Sequence, residues 1–329
     1  MMVRDRFDYT GSISDSWKTQ MLINIVKIRY GDAPVFLDVS SVITSYELLA
    51  SANVGGSFTS NPNTAGASAG VTAAMANRPT VTYTPLSGEK FARSLMSPIP
   101  PLSVLNLIQS GYPVDYVFRL CVQSINGIEN RRAGAVVAHP ADPQFYPLIE
   151  KMKNVQNSGA MGMRIKPVDK KEAVVFVFHG KEGPQTQAES AEVRRILGLN
   201  PKSREFKVSY GLVAEKNQEI ALLTRSMLQI INNLASYMEV PEEDVKAGRV
   251  NPTLREEVAG QTIEPLLQVK VSSEKPDEAF VEVPYRNHWF YIDDRDLRSK
   301  KLFSFLMFVF TLVETEDKTP PPVVTIPTR

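Results

Sequence analysis

Residues 48–77 read LLASANVGGSFTSNPNTAGASAGVTAAMAN, a stretch from Leu48 to Asn77 without a single Asp, Glu, Lys or Arg. Glu47 and Arg78 bound it. With 22% charged residues in the whole chain, a stretch of this length should hold about six or seven charges. Within it Ala50, Ala52, Val54, Gly56 and Phe58 alternate with Ser51, Asn53, Gly55, Ser57 and Thr59. After the turn-forming run Ser60 to Gly66, Ala67, Ala69, Val71, Ala73 and Met75 alternate with Ser68, Gly70, Thr72, Ala74 and Ala76. A period of two on both sides of a Pro- and Asn-rich turn predicts an antiparallel β-hairpin.

One register aligns both patterns. With Phe58 opposite Ala69, Val54 falls opposite Ala73 and Ala52 opposite Met75, so the less polar sets share one face. Each arm then has about eleven residues and extends ~36 Å. That matches a transmembrane β-strand, which is charge-free toward lipid and carries aromatic residues at the membrane boundary. Tyr46 and Tyr83 are read as such boundary residues. A hairpin alone leaves unpaired backbone groups along its flanks, so several copies must join to close a barrel. A soluble docking arm and a flexible surface loop are the alternatives for this composition.

Around the hairpin the chain reads as α+β, a mixed α/β body from which a long antiparallel hairpin, about 44–83, protrudes. Trp17, Met21, Ile25 and Ile28 recur at helical spacing and predict a helix over 14–30, stopped by Gly31. Ser87 is read as the cap of a helix to Met96, and Pro100-Pro101 as the start of one to Gly111. Between 115 and 214 the order is close to β-α-β-β-α-β, with a turn at Asn126-Gly127. A helix is predicted over 222–238, an acidic turn at 242–246, a polar linker over 251–262, strands at 266–271 and 279–283, and a last helix capped by Asp293 or Asp294. The apolar run 302–312 is expected to be buried on every side. The expected divisions are 1–112, 113–250, 251–314 and an extended tail, 315–329.

Composition narrows the function. The chain has 329 residues with 37 basic against 36 acidic side chains, which removes general electrostatics as a means of holding nucleic acid. Cys121, the single cysteine, cannot form an intrachain disulfide or a Cys-rich zinc site. His139, His179 and His288 have no His or Cys at metal-ligand spacing. The two S-x-x-K matches, Ser87 to Lys90 and Ser272 to Lys275, lack the companion elements of a serine acyl-enzyme, and no phosphate-binding glycine loop is present. Asp293, Asp294 and Asp296 are the candidates for a cation site, with helix capping the simpler role. No cofactor is expected, and no motif fixes a reaction. The opening residues MMVRDRFD lack the apolar stretch of a signal peptide.

Three segments, Val122 to Gly127, Arg225 to Gln229 and Trp289 to Leu297, resemble stretches of uncharacterised bacterial proteins, some of them associated with the cell envelope. The resemblance implies no activity and no functional residue. The plan of an α/β body donating a hairpin to a shared barrel is similar to that of curli-type secretion lipoproteins, although their lipid-bearing N-terminal Cys has no counterpart here.

The expected function is that of a non-enzymatic, self-assembling bacterial envelope protein. Its hairpin, with Tyr46, Ala52, Val54, Phe58, Val71, Ala73, Met75 and Tyr83, serves homo-oligomerisation and outer-membrane insertion. The alternatives are a soluble enzyme or ligand-binding protein with a site built from distant residues, and a cytoplasmic scaffold. An envelope location requires a leader upstream of Met1; otherwise the cytoplasm is expected.

Overall fold

The computed structural model describes residues 2–58, 65–86, 88–133, 138–168, 171–179 and 183–314. Backbone contacts divide the chain into one unit of Met1–Pro34 with Ser87–Arg329 and a second of Val35–Leu86.

In chain order the elements are α1 (Met2–Arg29), β1 (Phe36–Phe58), β2 (Ala65–Leu86), α2 (Glu89–Met96), α3 (Pro101–Gln109) and α4 (Val114–Cys121). There follow β3 (Val122–Ile125), β4 (Ile128–Glu129), β5 (Arg132–Ala133), β6 (Ala138–His139), α5 (Phe145–Asn157), β7 (Met161–Val168) and β8 (Lys171–Phe178). Next are α6 (Pro184–Ile196), β9 (Glu205–Tyr210), β10 (Glu219–Thr224), α7 (Met227–Ala235) and α8 (Glu242–Lys246). The chain closes with β11 (Glu256–Val258), β12 (Gln261–Ile263), β13 (Lys270–Ser272), β14 (Ala279–Tyr285), β15 (His288–Asp293) and α9 (Leu297–Glu314). The fold is α+β.

The larger unit is built on a six-stranded sheet of order β4-β3-β10-β9-β8-β7, in which only β9 and β10 run parallel. The β-α-β-β-α-β order is present as β3, α5, β7, β8, α6 and β9, but β10 enters the sheet between β3 and β9. Helices α5 and α6 pack on each other, and α1 packs on α7 and β14. A second sheet, β13-β15-β14, carries Trp289, Phe290 and Tyr291 on its central strand. The largest fully buried side chains include Phe118, Phe145, Phe178, Phe206, Phe290 and Phe303.

Local chemistry explains the boundaries. Pro101 opens α3, where a missing N–H costs nothing. Ser226 and Gln229 form a reciprocal capping box at the start of α7. Asn126 (φ 47°) and Gly127 (φ 82°) make the two-residue turn between β3 and β4, the geometry that matches strand twist when both residues have positive φ.

Several expectations are corrected. Helix α1 starts at Met2 rather than 14. Residues 222–224 belong to β10, and the helix expected there starts only at Met227. The polar stretch 251–262 contains β11 and most of β12, a small hairpin. The last helix is capped by neither Asp293 nor Asp294: Asp296 Oδ1 accepts from the Ser299 amide at 3.0 Å. Helix α9 buries Leu302, Phe303, Phe305, Leu306 and Val309 but leaves Phe308 46% exposed, so it has one covered face rather than a fully buried circumference. Residues 134–137, within an expected strand, Ser87, the expected cap, and the tail from 315 lie outside the described residues.

Candidate functional site

Strands β1 and β2 pair antiparallel from Phe36↔Leu86 to Phe58↔Ala65, with one irregularity where Ser40 is skipped between Val39 and Ser41. The ladder continues well below the stretch expected from the alternation, so β1 has 23 residues and β2 has 22. At 3.3 Å per residue this is roughly 70 Å of extended chain.

The register differs from the expected one. Phe58 lies opposite Ala65, Val54 opposite Ala69, Ala52 opposite Val71, Ala50 opposite Ala73 and Leu48 opposite Met75, a displacement of four residues along β2. Because four is even, the two alternating sets still coincide. Ala, Gly and Ser repeating every second residue specify parity but give no unique anchor along the strand. The observed pairing also leaves a connection of 59–64 where the expected one needs 59–68, and the shorter closure is entropically cheaper. Residues 59–64 lie outside the described residues.

The same register separates the two tyrosines. Tyr46 is opposite Asn77, whereas Tyr83 is opposite Val39, seven positions lower on β1. Six rungs, about 20 Å, therefore separate them along the ladder, and they do not lie at one level of it. Glu47, opposite Ala76, and Arg78, opposite Ser45, fall within two rungs of each other. They mark the level at which the charge-free end begins. Among the described residues β1 and β2 form a sheet of two strands only.

A different polar arrangement lies inside the larger unit. Arg225, 2% exposed, donates from Nη1 to the carbonyls of Arg119 at 2.9 Å and Leu120 at 3.2 Å, and from Nη2 to the carbonyl of Arg131. Burial lowers its pKa to about 10. Arg131, equally buried, lies 4.0 Å over the Tyr237 ring and donates to Ser236 Oγ at 3.1 Å. Tyr146 and Tyr237 both donate to Glu256 Oε2, at 2.9 and 2.5 Å. Burial pushes both phenols up, Tyr237 to about 12. Arg119, Asn130, Arg131, Tyr146, Asn233 and Tyr237 line a cavity of about 10 Å³, the room one water needs. These residues are far apart in sequence and gave no local signal. The cavity is too small for a substrate.

The other candidates resolve into local roles. Cys121 is fully buried, and burial raises its pKa to about 12. His139 and His179 are exposed. His288 has Nε2 3.1 Å from Glu243 Oε1 and Nδ1 3.1 Å from the Arg286 carbonyl oxygen. The three C-terminal carboxylates diverge: Asp293 pairs with Lys270 at 2.9 Å, Asp294 with Lys300 at 2.6 Å, and Asp296 caps α9. Among the described residues no three His, Cys, Asp or Glu side chains are grouped to hold a metal ion. An open cleft of about 460 Å³ between α1 and β14 holds Lys18 and Lys275, but each is paired, with Asp15 at 2.6 Å and Glu282 at 2.9 Å.

Comparison with known proteins finds no matching family, no matching curated protein and no matching solved structure.

Proposed function

We propose that the chain is a non-enzymatic assembly protein of the bacterial envelope, in which the β1–β2 unit joins copies of the chain edge to edge and its charge-free end enters the outer membrane. The observation that carries this reading is a ladder of more than twenty residues per strand with no third strand in its sheet among the described residues. A lone two-stranded ribbon is marginally stable in water, and its outer N–H and C=O groups call for partners. Residues 48–58 and 65–77 carry no charge, and their eleven to thirteen positions suit the ~9–11 residues of a tilted strand crossing hydrocarbon. Two strands per copy and a minimum of eight per barrel require about four copies or more. Among the described residues no helix is long and apolar enough to cross a membrane.

Mass photometry of the full chain, with and without lipid vesicles, tests the proposal. The expected result is a discrete species of about four or more copies that floats with vesicles, and its loss in Ala52→Asp, which places a charge in the neutral stretch. A wild-type chain that remains a monomer and ignores vesicles contradicts it.

A further inference from the structure

Resting on that assembly reading, we propose that the copies join head to tail: the outer edge of β2 in one copy pairs with the outer edge of β1 in the next, and only over the charge-free end and the Glu47 and Arg78 level that bounds it. The segments are 65–78 of β2 and 45–58 of β1, which lie at the same level of the ladder.

Charge chooses the partner edge. The only charged residues of β1 are Asp38 and Glu47, and the only one of β2 is Arg78. Joining β1 to β1 brings carboxylates together, and joining β2 to β2 brings guanidinium groups together, both unfavourable across strands. Joining β2 to β1 sets Arg78 of one copy against the Glu47 level of its neighbour. Such a contact uses two different surfaces and, closed into a ring, leaves no edge unpaired along the joined segments.

Proline sets the extent. Strand β2 runs from Ala65 to Leu86 without a skipped residue, since the irregularity omits Ser40 on β1. Backbone N–H groups along a strand alternate between its two sides. Pro79 and Pro85 are six positions apart, so their missing donors fall on one side of β2. Proline within a sheet is placed with that side away from the ladder, which here is the outer edge. The outer edge therefore lacks donors at 79 and 85, and no ladder with a neighbour continues there. Positions 65, 67, 69, 71, 73, 75 and 77, on the same side, all keep theirs. On β1 the irregularity at Ser40 breaks the regular alternation of donors at the base of the facing edge. The base of the unit is blocked against addition, and its charge-free end accepts it.

The test uses full-length chains and mass photometry. Glu47→Arg and Arg78→Glu alone each place like charges at every seam, and each is expected to be mainly monomeric. An equimolar mixture of the two is expected to assemble in alternation, because every seam then joins Arg to Arg78's replacement or to Glu47, opposite in sign, although each copy carries like charges within its own ribbon. The E47R/R78E double variant is expected to assemble by itself. If the double variant assembles and the mixture does not, the charges act within one ribbon and the head-to-tail seam is wrong. If both single variants assemble like wild type, it is wrong as well. Independently, Val71→Pro removes an outer donor inside the proposed segment and is expected to abolish assembly, whereas Val81→Pro, on the same side but in the base, leaves it intact. Equal behaviour of the two proline variants overturns the proposed extent. A wild-type chain that never assembles removes the assembly reading itself, a result distinct from all of these.

Discussion

The guanidinium of Arg225 donates to the carbonyl oxygen of Arg119 at 2.9 Å, closing the last turn of α4 against the residue that precedes the α7 cap. Two further carbonyls, of Leu120 and Arg131, accept from the same group. A cation at a helix C-terminus meets the negative end of the dipole, which offsets the cost of burying it. Arg225→Met fills similar volume but orphans these acceptors, and should cost about 3–4 kcal/mol of stability. Urea denaturation followed by circular dichroism measures it, and a loss below about 1 kcal/mol would show that the carbonyls find other donors.

Asn126 holds the β3–β4 turn in two ways. Its φ is 47°, and its side chain bridges elements: Nδ2 donates to the Leu197 carbonyl at 2.8 Å, and Oδ1 accepts from the Ala221 amide at 2.7 Å. Asn126→Gly keeps the backbone conformation and loses the bonds, whereas Asn126→Ala loses both. The expected losses are about 1–2 kcal/mol for Gly and about 1 kcal/mol more for Ala. Equal losses in denaturant titrations would remove the conformational part.

Cys121 is sealed in the core with a thiol pKa raised to about 12 by burial. At pH 8 almost none of it is thiolate, and reagent has no approach. Thiol labelling should therefore be undetectable in the native chain and complete in 6 M guanidinium. Rapid native labelling would place this residue at a surface.

Asp244 is buried, with Tyr30 donating to Oδ2 at 2.8 Å and Arg249 to Oδ1 at 2.9 Å. Desolvation raises its pKa, but the bonds from Arg249 and Tyr30, with the nearby Arg249 and His288 charges, outweigh it and leave the group below the usual carboxylate value. A folded-state pKa below the unfolded one contributes stability that is complete above the unfolded value, near 4, and is lost as pH falls through the folded value. Wild type should therefore exceed Asp244→Asn in stability at pH 6, with the gap closing below about pH 4. A gap that stays constant from pH 6 to 3 would show that the carboxylate does not titrate with folding.

Much of the fold was legible because its punctuation is local. Pro101, Gly111, the Asn126-Gly127 turn and the acidic start of α8 each impose a boundary by their own chemistry. Strand β10 was not legible: Glu219–Thr224 is a short apolar run that precedes another, and such runs fit helix or strand equally until the Ser226–Gln229 cap shows where the helix begins. In β1 and β2 the alternation carried parity, while the absolute pairing depended on the connection, which composition does not encode. The Arg225, Arg131 and Glu256 network was invisible because its members lie in different elements and none is unusual in its own neighbourhood.

Backbone hydrogen exchange, resolved to single amides along β2, tests the assembly claim most directly. In a two-stranded ribbon only alternate amides are bonded, those facing β1. If copies join along the outer edge, the odd-numbered amides at 67, 69, 71, 73 and 75 should be protected as strongly as the even-numbered ones between them, while 81 and 83 exchange freely. Free exchange at every odd position from 67 to 75, with protection confined to the even ones, would mean that no neighbouring strand is bound there.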